Sequence, residues 1–362
     1  MMRRWRVIVG DNHPVSLDGS GRSRLLAPAG TPNVDPEAPA RYRCLEGISR
    51  PRREKSMKLI HLRDVIAVAE CGSLRAAGRH LNIAQPAITR SIHEIEQELG
   101  VSLFERYARG VRPTPMGEAF LRRARSIESD LRRAAEEIEQ LKGLSSGQVS
   151  LAMSSASSLA LMPSAVAAFR KRYPDGLLKI SEAMFQAVEP EVLDGQIDFY
   201  VGPIDPNISS THLHVEKLFE IERVVAARKG HPLAGARSVR ELVDARWVRP
   251  TSSMRSTEAD FVGMFPDLGL APPNIVMHAQ STLITLITLA NSDLLTIMPT
   301  PCVEMPPTAD ALTALSLVER FPPVTVSIVR RHDMPLTPMA EYLCDMMRRA
   351  GHHYAARKDK AA

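Results

Sequence analysis

Between Phe120 and Leu141 the apolar side chains fall at Phe120, Ala124, Ile127, Leu131, Ala134, Ile138 and Leu141, in alternating steps of four and three. Such steps keep one stripe of a helix apolar along its whole length. Held over successive heptads, they specify a seam that packs on a second helix. Much of the remaining surface is charged, with Arg122, Arg123, Arg132, Glu136 and Glu137. The stretch predicts one long helix, residues 116–142. Its regularity favours pairing of two copies of the chain over packing of the stripe on its own domain.

Upstream of this rod, three short helices can be read between Leu62 and Leu99. The first carries Val65, Val68 and Ala69 on one side. Gly72-Ser73 then supplies a helix stop and an N-cap. The second helix, residues 74–81, uses Ala76, Ala77 and Gly78, small enough for a crossing helix to approach closely. Asn82-Ile83 turns the chain, and the third helix begins near Ala84 with Pro86 in its first turn, where a missing N–H costs nothing. Ile88, Ile92, Ile95 and Leu99 form its buried stripe. Beside that stripe lie Pro86, Thr89, Arg90, His93 and Gln97, with Gln85 at the N-terminus.

This spacing fits a helix-turn-helix whose third helix enters a DNA major groove and equally a plain helical hairpin with a polar face; the residues that follow favour the first. Gln85 can pair with adenine, Arg90 with guanine or a phosphate, and Pro86 and the Thr89 methyl can meet thymine methyls. Ser73 and Arg75, at the start of the second helix, and His93 complete the candidate contacts there. After it, Arg106, Arg109 and Arg112 surround Gly110, ahead of Pro113-Thr114-Pro115. That loop reads as a wing that sets arginines against the phosphate backbone or the minor groove. Two copies joined by the long helix would read an approximate palindrome.

Downstream, Gly143–Gln148 reads as a hinge, and strand and helix patterns then alternate. Strands are expected at 149–154, 177–183 and 197–202, and helices at 158–172 and 188–194. A second lobe begins near residues 216–224, the chain returns to the first lobe at 324–329, and a helix at 338–349 closes it. The pattern is α/β with a mostly parallel sheet in two lobes, a design that binds ligands at the carboxyl ends of its strands. Candidate cleft residues are therefore Ser154, Ser155, Ser157 and Ser158 between a strand and a helix N-terminus, with Gly202 and Pro203, Thr251, Ser252 and Ser253, and Thr300 at other strand ends. Hydroxyls and free N–H groups at a helix start suit a carboxylate, sulfonate or phosphate.

Residues 57–350 resemble a LysR-type transcriptional regulator, on the motifs SLRAAGRHLNIAQPAITRSIHEIEQELGVSLFER and RGVRPTPMGEAF and the helix that follows them. The resemblance implies a winged helix-turn-helix (57–115), a dimerising linker helix (116–142), a hinge (143–148) and a two-lobed effector domain like a periplasmic binding protein (149–350). It implies a homodimer whose effector domains pair again into a homotetramer, with double-stranded DNA, RNA polymerase and a small effector as partners. Ala84 stands where the family usually has Ser or Thr, Thr89 where Ser is common, and Pro113 where Leu is usual. NSDLLTIMP and VRRHDMPLTP are similar to a subgroup that includes a regulator of aromatic sulfonate degradation, which points to a small organic anion, aromatic ones included, as effector.

Charge adds a limit. Of 46 Lys/Arg and 41 Asp/Glu, residues 1–56 hold 11 and 6, leaving 35 of each over the remainder, so the net +5 comes from the first segment. DNA binding must therefore rest on local motifs rather than on global charge. The Pro-, Gly- and Arg-rich residues 1–56 are expected to be a disordered extension, with Met57 the natural start, and 351–362 a tail. Four scattered cysteines fit no zinc spacing, no cofactor motif is present, and no apolar run reaches membrane length. The cytoplasm is the expected location. The alternatives are an architectural DNA-binding protein without an effector, and an enzyme on a two-lobed fold. Against the second, no G-x-S-x-G, P-loop or HExxH motif is found.

Overall fold

The computed structural model describes residues 57–108, 110–205, 208, 211–250 and 265–359. The expected extension over 1–56 lies outside them. Helix α1 (Leu59–Cys71) ends at Gly72, whose φ of 68° is left-handed, and Ser73 caps α2 (Leu74–His80) by accepting from Ala76 N at 3.1 Å. Helix α3 (Gln85–Leu99) starts from Ala84 with no side-chain cap. Its buried side consists of Ile88, Ile92 and Ile95, packed with Val65, Val68, Ala77, Leu103 and Leu121. Each such side chain contributes about 1.5–3 kcal/mol by leaving water. Leu99 is exposed, so the stripe ends a turn earlier than its spacing predicts.

The wing strands β1 (Phe104–Tyr107) and β2 (Gly110–Pro113) pair antiparallel. Val111 N donates to Gly72 O at 2.9 Å and ties the wing to the α1–α2 corner. Glu96 Oε1 accepts from Leu103 N at 2.7 Å and Phe104 N at 3.2 Å, which ties it to α3. Thr114 then caps α4 (Pro115–Leu141) by accepting from Gly117 N at 3.0 Å. Gly117 sits hard against the chain before β1.

The remaining elements build two sheets. The first lobe holds β3 (Gln148–Met153), α5 (Ser155–Arg172), β4 (Leu177–Glu182), α6 (Phe185–Leu193), β5 (Phe199–Gly202) and β6 (Leu213–Ile221). The chain crosses at Glu222 into the second lobe: β7 (Arg223–Arg228), β8 (Arg246–Pro250), β9 (Asn274–Ala279), α7 (Thr282–Ala290), β10 (Leu294–Pro299), α8 (Pro301–Glu304) and β11 (Leu312–Ala314). It returns as β12 (Val324–Arg331) and α9 (Pro338–Asp359). The strand orders are β4-β3-β5-β12-β6 and β11-β7-β10-β8-β9. In each, four strands run in one direction and one, β12 in the first and β7 in the second, runs against them.

Three differences from the sequence expectations have physical causes. Residues 216–221 belong to the first lobe, because β6 pairs with β12 and buries Leu213, Phe219 and Ile221. Helix α5 begins at Ser155 rather than at 158, because Ser154 is its cap and accepts from Ser157 N. The closing helix does not stop at Arg349. It continues to Asp359, so most of the expected tail is helix. Gly351 lets α9 lie against Phe219, and the Tyr354 ring sits 5.1 Å from that of Phe219.

A Cβ at Gly117 would fall 2.0 Å from Leu103 O. Gly117→Ala is expected to cost about 3 kcal/mol through displaced backbone, read as a lower midpoint in thermal or urea unfolding.

Candidate functional site

On the helix-turn-helix, the core takes one face of α3 and leaves another in solvent. Gln85, Pro86, Thr89, Arg90, His93 and Gln97 are all exposed, as is Arg75 on α2. Thr89 Oγ1 donates to Gln85 O at 3.0 Å, and the His93 ring lies 2.8 Å from the Gln97 amide nitrogen. Arg106 on β1 is exposed and shares with Thr89 and His93 a hollow between α3 and the wing. Arg112 is exposed and pairs with Glu105 at 2.8 Å, a surface contact of little strength. Ser73 is occupied as a cap, and Arg109 lies outside the described residues. The free face of α3 and the wing thus present polar and cationic groups side by side, as a groove and its flanking phosphates require.

Along α4 the seam divides. Phe120 and Ala124 are taken up by the core of the helix-turn-helix. Beyond them Ile127, Leu131, Ile138 and Leu141 stand 44, 53, 54 and 69% exposed, and Ala134 is exposed with them. A continuous apolar stripe on a helix surface is unfavourable in water unless covered.

Between the two lobes is a cavity of about 160 Å³, the size of one aromatic ring. It lies where the carboxyl ends of β3, β5, β8 and β10 face each other. Its walls are mostly apolar, including Ile221, Ile297, Met298 and Val326. Ser154, Ser155 and Pro203 line it, as their place at strand ends implies. Ser155 Oγ lies 2.7 Å from Thr282 Oγ1 at the start of α7, a hydrogen bond from lobe to lobe, and also contacts Glu182. Ser157 and Ser158 sit in the first turn of α5 behind that wall, and Gly202, at the end of β5, leaves room for the Tyr200 hydroxyl and the Ser154 side chain. Thr300 is buried, with its hydroxyl 3.1 Å from that of Tyr354. Its neighbours Pro299 and Cys302 line the cavity instead. Thr251, Ser252 and Ser253 lie outside the described residues.

Sequence reasoning missed the two cationic wall residues, Arg223 and Arg249. Arg223 is buried, and its Nε donates to Pro322 O at 2.8 Å. Both sit within strands, where a lone arginine looks like any exposed strand residue, so no local signal marked them. Cys302 was also unmarked. Burial pushes its thiol up to about 12, as it does Cys344, and both are poor nucleophiles near neutrality. Among the described residues no group of side chains could hold a metal ion, and no helix is long and apolar enough to cross a membrane.

Residues 59–118 match the bacterial regulatory helix-turn-helix protein of the lysR family, and residues 142–351 match the LysR substrate binding domain. The chain belongs to the LysR family of transcriptional regulators. It is 28% identical over 298 residues to the HTH-type transcriptional regulator GbpR of Azospirillum brasilense, covering 81% of this chain and 86% of that one. It is 29% identical over 246 residues to TdcA of Escherichia coli K12, covering 68% and 77%. The structure of CbnR, a LysR family regulator, superposes with a TM-score of 0.60 at 21% identity, covering 82% of this chain and 99% of that one. CbnR in complex with its target DNA gives the same score, covering 81% and 100%. This LysR-family chain is therefore a DNA-binding transcriptional regulator with an effector-binding half, and its relatives are regulators rather than enzymes.

Gln85→Ala is expected to relax selectivity at one base position by about 1–3 kcal/mol, while affinity for random DNA stays unchanged. Competition binding against single-base operator variants measures this.

Proposed function

We propose that this LysR-family regulator binds an interrupted palindrome through α3 and the wing, as a dimer or tetramer, and switches transcription when a small organic anion enters the interlobe cavity. The reading assigns residues 57–115 to the DNA-binding head, 116–142 to the linker and 149–350 to the effector domain, in a cytoplasmic protein that acts on RNA polymerase. The observation that carries it is the free face of α3, where Gln85, Arg90 and His93 stand together in solvent. The uncovered seam on α4 supports pairing of two linkers. Leu283, Ile284 and Ile287, exposed on α7, support a second contact between effector domains.

Arg223 and Arg249 on a mostly apolar wall support an anionic effector, and the cavity volume supports a single ring. An aromatic carboxylate or sulfonate has both properties. A ligand changes the balance of lobe arrangements only by binding one better than another, and that difference would reset the spacing or angle of the two heads.

A DNase footprint on the DNA upstream of its own gene is expected to protect two spaced half-sites. Absence of protection at any promoter would sink the regulator reading. Leu131→Glu, which puts a charge in the seam, is expected to give a monomer by sedimentation and to lose the paired footprint. Benzoate or benzenesulfonate is expected to raise the melting temperature of the wild type but not of Arg249→Met. If neither compound shifts the wild type, the aromatic-anion reading is wrong.

A further inference from the structure

Helix α4 carries a second stripe beside its apolar seam: Ser126, Ser129, Asp130, Arg133 and Gln140, which also repeat at steps of three, four and seven. Beyond Ala124 the seam faces solvent, but this polar stripe is docked. Arg133 and Asp198 form an ion pair with Nη1 and Oδ1 2.7 Å apart and side chains only 5 and 3% exposed. Arg133 Nη2 also donates to Gly195 O at 2.6 Å, and Ser129 Oγ donates to the same oxygen. Arg331 on β12 reaches Ser126 at 2.7 Å and Asp130 at 3.0 Å. Gln140 Oε1 accepts from Met339 N, in the first turn of α9, at 3.0 Å.

The place where this stripe docks is informative. Asp198 immediately precedes β5. Its Oδ2 accepts from Ser150 N on β3 at 2.7 Å, and its own N donates to Ser150 O at 2.7 Å. Asp198 therefore joins α4 to the amino ends of β3 and β5. Those two parallel strands lead to Ser154 and Pro203 at the cavity, where Ser154 N donates to Val201 O at 3.1 Å. Every hydrogen bond and ion pair between α4 and the effector half, among the described residues, goes to the first lobe or to α9.

We infer that Arg133 and Asp198 are positioning residues that clamp the linker helix to the first lobe. Head, linker and first lobe then move as one body, and the movement produced by a ligand falls on the second lobe. The moving lobe turns about the crossings at Glu222 and Pro322-Pro323, and Ser155–Thr282, Thr300–Tyr354 and Glu304–Lys358 are contacts where it meets the fixed one. This deepens the function proposed above by naming how the signal leaves the cavity. Its test needs neither operator nor effector, so the two can fail separately.

The test is limited trypsin digestion of the full chain, with fragments followed by mass spectrometry. Lys142 is exposed at the end of α4 and precedes the connection to β3. In the clamped wild type, cleavage after Lys142 is expected to be slow. Arg133→Met leaves Asp198 without its cation and is expected to speed that cut about tenfold, because cleavage follows the population of the open form. Cuts elsewhere in the effector half should keep their wild-type rates. Asp198→Asn keeps the Ser150 contact and tests the clamp from the other side if Arg133→Met does not fold. Arg133→Lys retains the charge and is expected to restore part of the protection. Unchanged cleavage at Lys142 in both variants would overturn the clamp. An equal rise at all sites would make the pair a stability element only, and would overturn it too.

Discussion

The structure depends on how α4 is held at its two ends. A helix of 27 residues is about 40 Å long, so a small change in angle at one end becomes a large displacement at the other. At its start the helix is locked into the head by the Thr114 cap, by Gly117 against Leu103, and by Leu121 and Ala124 in the core. Toward its end, buried polar contacts hold it to the first lobe. An ion pair taken out of water loses much hydration, and burial moves the Arg133 guanidinium down and the Asp198 carboxyl up from their usual ranges, each opposed by the other's charge. Such a pair adds little to stability compared with apolar packing, but losing one partner costs about 3–5 kcal/mol. It acts by specifying geometry: this pose of the helix satisfies Asp198, Gly195 and Arg331 together.

The same economy governs the cavity. Apolar strand ends from both lobes give it volume without polar specificity, and a few convergent groups supply direction. Ser155 and Thr282 meet from opposite lobes, each at the start of a helix, so their separation reports how far the lobes are closed. Arg223 and Arg249 place guanidinium groups on that mostly apolar wall. Cys302, on the same wall, keeps its proton and acts as a small apolar group.

The helices of the head were legible because their signals are local. Gly72-Ser73 stops one helix and caps the next within two residues, Pro86 suits only a first turn, and Ile88, Ile92 and Ile95 repeat at the helical period. The alternating strands and helices of the effector half were legible for the same reason, and Ser154, Ser155 and Pro203 followed from their places at strand ends. The seam was legible as a stripe, but its spacing does not say that Phe120 and Ala124 serve the head while the rest faces outward. Thr300 shows the limit of that reasoning. A strand end places a residue near the cleft, but the direction of its side chain depends on what packs behind it, here Tyr354 from the far end of the chain.

By itself, then, the sequence determined the winged head, the long helix with its apolar stripe, and the alternating strands and helices of the α/β half, since each is set by periodicity and capping over a few neighbouring residues, while the division of that half into two lobes followed from the family resemblance. Only the tertiary structure decided that Arg223 and Arg249 share one wall, that Ser155 meets Thr282, and that Arg133 is buried against Asp198. Those partners lie far apart along the chain. Each is an ordinary polar residue until crossing strands bring it to its partner and exclude the water that would otherwise solvate it.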